Sequence, residues 1–486
     1  MGKGSLVQTV IIEDSLLLNN TDDLTDEARR ALGRIRHWKV HLGVASTSRR
    51  SSAVQSALAC YSFDLFSLDG TISWEDSSAS NAVVYVFSKV SYRSTLFLNA
   101  LSNSSIILLD PSTTDAFDIC NASKNIFAIC SLDQLPLVVC FINSQVLDNQ
   151  TIKVGYSMKP SREEDFAKRG AFPITPTPNG LIFFPLSFRQ PLPPQLQFAD
   201  VILHKATDEI VSIEHGDPTA VTFSSGIQAL QKELHHVPSC VIIDPIQNIY
   251  PVLDRLKTQH VLSNLHELNP KQGQQSRRII RGPSFLEVKN FDQPHLLQLL
   301  SKTNLSFPCI VKPQVACGLD DAHSMALVFS SEDFCGLTVP LPGIIQEYVE
   351  HSSTLYKIYC LGGTVFHSVK NSIPNSDVLL KFYEKNGCKP LLFHSLKSLP
   401  TNVDEQIKRN SLDLTLVNDA ADWLSARLDL TIFGFDVVIH EHSGDHVIVD
   451  VNYLPSFKEV INDVALPAFW DAIWGKFNAN IINCLN

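Results

Sequence analysis

Paired cysteines are missing from this chain. Its 11 cysteines are odd in number and scattered, and no two stand in Cys-x-x-Cys spacing. That pattern argues against a zinc cage and against a disulfide framework, so a reducing compartment, the cytosol or the nucleus, is expected. Long apolar runs are missing too. No stretch approaches the roughly 20 residues of a membrane span, and no membrane partner is expected. The N-terminus, Met1-Gly2-Lys3-Gly4-Ser5-Leu6, meets Glu13 and Asp14 too soon for a signal peptide. Leu6 stands where a myristoylation signal carries Ser or Thr. Positive charge is not in excess, the formal net charge being −11. No nucleic-acid partner is expected on that balance, although it leaves room for a local basic cleft. Internal repeats and extended low-complexity segments are absent as well.

What is present suits several folded domains. A chain of 486 residues with 44% hydrophobic residues can bury large cores. Residues 1–150 hold short apolar runs at Val7–Ile12, Val83–Phe87, Ile106–Leu109, Ile126–Cys130 and Val138–Ile142. Helical or polar stretches such as Thr25–Trp38 separate them. Strands alternating with helices predict a parallel sheet and an α/β domain. Val146–Gln150 reads as a connector. New strands follow at Lys153–Tyr156, Asp200–Lys205 and Ser239–Asp244, with helices at Gly226–Leu234 and near Ile249–Gln259. Gln272–Ser276 reads as a loop. From Pro283 the pattern is mixed α and β.

Chemistry concentrates near the C-terminus. Gly434–Ile439 and His446–Asn452 are rich in Val, Ile and Phe, and His442-Ser443-Gly444-Asp445 between them is turn chemistry. Strands paired about Ser443 would set Asp436 opposite Asp450. Asp450 and Asn452, two apart, would share a face. Two carboxylates and an amide oxygen at one spot form a hard-oxygen set suited to Mg²⁺, which completes its shell with water and phosphate. Solvated carboxylates at a strand edge are the plain alternative.

Residues 151–486 resemble the inositol tris/tetrakisphosphate kinases, which have the ATP-grasp fold, and among them the plant-type members with a long N-terminal extension. The resemblance rests on several separate motifs. Gly-Phe-Asp at 434–436 and Val-Asp-Val-Asn at 449–452 match the family's metal triad. This implies that Asp436, Asp450 and Asn452 hold two Mg²⁺ ions, with Asn452 also near substrate. Pro455-Ser456 replaces the family's Pro-Gly and sets Ser456 at a substrate-contacting position. Pro308–Pro313 matches the strand whose Lys, here Lys312, contacts ATP. The polar loop Gly318–Ser324 then places His323 where the family binds inositol phosphate, with one extra loop residue. Gly343–Val349 matches the strand and hinge, so Gln346, Glu347 and Tyr348 are expected at the adenine edge. Lys357, in Leu355–Tyr359, matches a substrate lysine. In Lys370-Asn371-Ser372, Ser372 matches a nucleotide-site serine and Lys370 replaces an Arg, losing its planar fork. His204–Asp208 closely matches the family's His-Lys-x-Thr-Asp and makes Lys205 a substrate contact. Arg162 falls where a further substrate cation is expected, but Glu163 and Glu164 replace basic neighbours. Arg278 approximates the ATP-contacting Arg, with Arg277 and Arg281 as competitors.

The implied fold class is α/β and α+β, an ATP-grasp kinase behind an N-terminal α/β domain. The implied division is 1–150, 151–282 as the first kinase lobe, and 283–486 as the central and C-terminal ATP-grasp lobes. The expected protein is a monomer that uses ATP and Mg²⁺ and takes an inositol polyphosphate substrate. No side-chain nucleophile is needed, because a ring hydroxyl attacks the γ-phosphorus directly. Lys312, His323 and Asp450 are the residues expected to carry catalysis, by alignment and charge neutralisation. Two rival readings exist. An ATP-grasp carboxylate–amine ligase commonly has Glu-x-Asn where this chain has Asp450-Val451-Asn452. A weakly catalytic binding scaffold is disfavoured by the intact triad.

Residues 1–150 also resemble the opening βαβ of the haloacid dehalogenase-like fold, through Val10–Asp14, Thr25–Trp38 and Leu42–Thr47. That family needs an Asp-x-Asp pair for phosphatase chemistry. Here Glu13-Asp14-Ser15 lacks it. The second candidate, Ser67-Leu68-Asp69-Gly70-Thr71, has Ser at the nucleophile position. An inactive domain is expected.

Overall fold

The computed structural model describes residues 5–47, 49–67, 82–94, 104–112, 118–121, 125–147, 151–214, 217–268, 278–291, 296–395 and 410–485. Ser67-Leu68-Asp69-Gly70-Thr71, Gln272–Ser276 and Arg277 therefore lie wholly or mostly outside the described residues. Two compact units form. One is Met1–His204 with Ala229–Ile242 and Phe477–Asn486; the other is Lys205–Gln228 with Ile243–Lys476.

In the first unit, seven strands numbered along the chain build one sheet. They are β1 (Val7–Glu13), β2 (His41–Ser46), β3 (Asp64–Ser67), β4 (Ala82–Ser88), β5 (Ser105–Leu109), β6 (Asp118–Asn121) and β7 (Ile126–Ile129). Their order is β3-β2-β1-β4-β5-β7-β6, parallel throughout except for β6 against β7. The strand order reverses between β1 and β4, the place where open α/β sheets leave a crevice at their strand ends. Thr25 caps helix Asp26–Ile35 by accepting a hydrogen bond from Ala28 N (3.1 Å). Ala28, Ala31, Leu32 and Ile35 follow helical spacing and are buried with Val10, Ile12 and Val44 in one core.

One expectation fails here. Val138–Ile142 is not a strand but part of helix Leu135–Val146. Ser131 and Gln134 form a capping box just before it, and Pro136 sits in its first turn. The run is apolar all round and buried except for the half-buried Phe141, so it carries no period that separates helix from strand.

A second sheet in this unit contains β8 (Ile152–Ser157), β9 (Leu181–Pro185), β10 (Val201–His204) and β13 (Val241–Ile243), in the order β13-β10-β8-β9. Helix Pro160–Arg169 follows β8. Three arginines tie helix Asp26–Ile35 and the residue after it to their surroundings. Arg30 grips both oxygens of Asp133 at 2.9 and 2.8 Å. Arg34 grips both of Glu163 at 2.7 and 3.3 Å, and Arg36 reaches Glu164 at 2.5 Å.

The second unit begins with the hairpin β11 (Ile210–Glu214) and β12 (Asp217–Phe223). A five-stranded antiparallel sheet follows, in the order β15-β18-β16-β17-β21. Its strands are Phe285–Val288, Gly343–Glu347, Cys309–Pro313, Ser324–Val328 and Leu391–His394. One face packs Leu296, Leu300, Phe334 and Ile345; part of the other packs Leu327, Leu379 and Leu391. The other five-stranded sheet has the order β14-β23-β22-β19-β20, from Ile280–Arg281, His446–Tyr453, Ile432–Ile439, Thr354–Leu361 and Thr364–Asn371. It is antiparallel apart from β14 on β23. The helix expected near Ile249–Gln259 is two helices, Ile246–Leu253 and Arg255–Ser263. Asp254 separates them and caps the second by accepting from Leu256 N (2.8 Å).

Candidate functional site

The β22–β23 hairpin forms about its turn at 440–445, and Asp436 pairs with Asp450. Gly434 pairs with Asn452, so Asp436, Asp450 and Asn452 share one face. The register slips between Asp436 and Val437, which marks a bulge beside the carboxylate pair. Gly434 is required: a Cβ there would stand 2.6 Å from the Ile358 carbonyl oxygen. Asn452 Nδ2 donates to Asp450 Oδ2 (3.3 Å), and Lys357 Nζ lies 3.9 Å from Asp436 Oδ2. Burial pushes the Asp436 carboxyl up to about 6, with Lys357 opposing and Asp450 adding to the rise. A half-desolvated carboxylate beside a second one calls for more positive charge than Lys357 supplies. Among the described residues, no three His, Cys, Asp or Glu side chains cluster closely enough to hold a metal unaided. The donor set is therefore two carboxylates and an amide. That suits a hard cation sharing its shell with water and phosphate.

Lys312 lies on β16, on the face of its sheet that also carries Ile344 and Gln346. Its Nζ points to the Val449 carbonyl of β23 (3.4 Å), which brings the two sheets' functional faces together. Burial pushes the ammonium down to about 8, against the pull of Asp450. Gln346 is 1% exposed, and its side-chain oxygen has no partner among the described residues. A buried acceptor without a donor is costly, and the exocyclic amine of an adenine would supply one. Glu347 is differently placed. Its N–H donates to Ser284 O (2.9 Å) and Arg281 grips both its carboxylate oxygens at 2.8 Å. Burial opposes that charge, but Arg281 and Ser284 outweigh it and hold the carboxyl below its ordinary value. Tyr348 is held by its hydroxyl on the Pro374 carbonyl.

The remaining expected residues divide clearly. Lys205 is buried, bonds the Tyr453 carbonyl at the end of β23, and lies 5.3 Å over the Tyr453 ring. His323 ends a short 3-10 turn at β17 and meets Ser395 Oγ at 3.0 Å. Burial, with Arg255 and His394, lowers its pKa. Ser372 is engaged with His351 Nε2 (2.8 Å). Ser456 is half-buried in the loop after β23. Arg278 lies against Gly444, at the turn end of the hairpin, and Arg281 is committed to Glu347. Arg162 belongs to the first unit, on helix Pro160–Arg169.

Two residues escape any sequence motif. Arg255 is buried and donates to the carbonyls of Pro313 (2.8 Å) and Val315 (2.6 Å), which fixes the chain leaving Lys312. Glu459 bonds Tyr359 Oη (2.7 Å) and the Lys370 ammonium. Neither carries a local signal, because both act on partners about 60 to 100 residues away.

The crevice of the first unit is occupied by its own side chains. Glu13, at the end of β1, accepts from Ser15 Oγ (2.5 Å), Ser91 Oγ (2.6 Å) and Ser88 N (2.8 Å). Asp14 accepts from Ser46 Oγ (2.6 Å). Lys89 pairs with Asp110.

Comparison with known proteins agrees with both halves. Residues 274–471 match the model of the inositol 1,3,4-trisphosphate 5/6-kinase ATP-grasp domain, and residues 1–145 match the ITPK4 N-terminal HAD-like domain. Inositol-tetrakisphosphate 1-kinase 6 of Oryza sativa subsp. indica is 40% identical over 499 residues, covering 96% of this chain and 88% of that protein. Its namesake in Oryza sativa subsp. japonica is 50% identical over 68% of this chain and 61% of its own. The inositol-tetrakisphosphate 1-kinase of Danio rerio is 28% identical over 60% of this chain and 70% of its own.

Proposed function

Because this chain belongs to the inositol-tetrakisphosphate 1-kinase family, we propose that its ATP-dependent inositol phosphate kinase activity resides on the sheet face carrying Asp436, Asp450 and Asn452. The acceptor is a tris- or tetrakisphosphate of inositol with a free ring hydroxyl. The observation that carries this reading is the register Asp436 opposite Asp450, with Lys312 reaching β23 from the facing sheet.

Mg²⁺ held there would supply positive charge that screens the repulsion between nucleotide and acceptor phosphates. Asp436 and Asp450 would supply its anionic ligands and Asn452 a neutral one. Two ions are our reading, supported by the family motif. Lys312 holds the nucleotide phosphates and Gln346 reads the adenine edge. Lys357, Lys205 and His323 orient the acceptor's phosphates, with Ser456 and Asn452 beside them. No residue need form a covalent bond, so rate comes from alignment and fixed charge.

The division 1–150, 151–282 and 283–486 goes with this proposal, supported by the family matches at 1–145 and 274–471. So do a monomeric state and a cytosolic or nuclear location, the location being supported by the described cysteines, all free thiols. No helix among the described residues is long and apolar enough to cross a membrane. The test is a product-resolved assay with purified protein, Mg²⁺, ATP and a panel of inositol phosphates. One new phosphate on a tris- or tetrakisphosphate is the expected product. Phosphate release without acceptor phosphorylation across the whole panel would refute the reading.

A further inference from the structure

The loop after β23 carries an acidic side chain back over the functional face. Leu454 and Phe457 are fully buried in it and take positive φ of 40° and 37°. Phe457 packs on Phe469 with ring centroids 5.5 Å apart. Anchored there, the loop delivers Glu459 to β19 and β20. One carboxylate oxygen accepts from Tyr359 Oη (2.7 Å), and the other pairs with the Lys370 ammonium. Tyr359 Oη also lies 3.4 Å from Ser368 Oγ.

Register places this group among the site residues. Lys357 pairs with Asp436 on β22 and with Ser368 on β20, and Leu355 pairs with Lys370. Residues two apart share a face, so Lys357, Tyr359, Ser368 and Lys370 all stand on the face of Asp436. Burial works against the Glu459 charge, but its bonds to Lys370 and Tyr359 outweigh this and hold the carboxyl down to about 2. Glu459 is thus a fixed negative charge on a surface otherwise built to receive phosphate.

We propose that Glu459 is a specificity-determining residue, which neutralises Lys370 and selects acceptors presenting a ring hydroxyl, rather than a phosphate, at that point of the face. The inference rests on the proposed inositol phosphate site. Its logic is that of discrimination by repulsion. A carboxylate accepts a hydrogen bond from a hydroxyl but opposes a phosphate dianion, and it occupies the Lys370 ammonium, which would otherwise pair with that phosphate. Tyr359 and Ser368 add hydroxyl groups beside it, chemistry suited to a ring hydroxyl.

Glu459→Gln in the full-length protein tests this, because the amide keeps the shape and removes the charge. The ratio of kcat/KM for an inositol pentakisphosphate over a tetrakisphosphate should rise about tenfold, the scale of one charge-assisted contact. KM for ATP should stay put. Adding Lys370→Met should remove the gain. Calorimetric binding of inositol hexakisphosphate, which needs no turnover, should tighten in Glu459→Gln and relax again in the double variant. An unchanged ratio, or an equal fall in kcat for every acceptor, would overturn the proposal and leave Glu459 as a loop anchor. If the wild type phosphorylates no inositol phosphate, the proposed function fails while the binding measurement still decides on Glu459. No hexakisphosphate binding by Glu459→Gln would overturn the proposal for Glu459, while the product-resolved assay alone decides the proposed function.

Discussion

Asp436→Asn should stabilise the free protein while destroying its response to Mg²⁺ and ATP. The Asp436 carboxyl rises from 3.8 to about 6 on folding, mainly through burial. At about 1.4 kcal/mol per pH unit, keeping it ionised costs the folded state about 3 kcal/mol. The side chain retains 18% of its surface in water and Lys357 stands 3.9 Å away. Discounting for both, a gain of about 1–2 kcal/mol on removing the charge is the reasonable expectation. The sign follows from linkage. A carboxyl raised in the folded state binds more protons there, so its penalty is full above pH about 6 and fades towards 3.8. In EDTA at pH 7.5 the variant should therefore melt a few degrees above wild type, and the difference should shrink towards pH 5. Adding Mg²⁺ and ATP should raise the wild-type Tm by the usual mass-action term and leave the variant almost unmoved. Scanning calorimetry at the two pH values, with and without Mg²⁺–ATP, reads all of this. A variant less stable than wild type in EDTA at pH 7.5, or one that keeps its ligand shift, would refute the reasoning.

Other outcomes follow from the same geometry. Lys357→Ala and His323→Ala should raise KM for the inositol phosphate well above any change for ATP, whereas Lys312→Ala should act chiefly on ATP; steady-state kinetics varying each substrate in turn checks the division. The kcat/KM for ATP should fall below pH about 6, where Asp436 gains a proton, and above about 8, where Lys312 loses one. Lys312→Met should flatten the alkaline limb of that profile and leave the acid limb in place. Full-length protein silenced by Asp450→Asn should hydrolyse no generic phosphoester above background, since Glu13 is bound up with Ser15, Ser88 and Ser91; metal-dependent hydrolysis lost on mutating Asp14 would show otherwise.

The hairpin was readable because its information is local. Turn residues at 442–445 locate the hairpin, whose ladder runs from Ile439 on His446 to Val437 on Ile448, and the bulge between Asp436 and Val437 then sets Asp436 opposite Asp450. Helix Asp26–Ile35 was readable for the same reason, through its cap and apolar period. Val138–Ile142 was misread because a continuous apolar run in a largely buried helix lacks that period. Glu163 and Glu164 looked like a weakening of the substrate-binding face. The structure finds them gripped by Arg34 and Arg36. Nothing near either residue announces such a partner. Tertiary pairing also hid Glu459 on Lys370 and Arg255 on the chain after Lys312. His351 on Ser372 is a further case, since it shows that a motif position can be spoken for within the fold.

The central claim is that the Asp436–Asp450–Asn452 face is where phosphate moves. Single-turnover transfer from ATP to an inositol tetrakisphosphate, comparing wild type with Asp450→Asn across a Mg²⁺ titration, addresses it most directly. The account predicts a folded variant with nearly abolished transfer, improved only slightly by high Mg²⁺, because a ligand charge is missing where phosphate charge must be screened. Wild-type transfer by Asp450→Asn at low Mg²⁺ would contradict it.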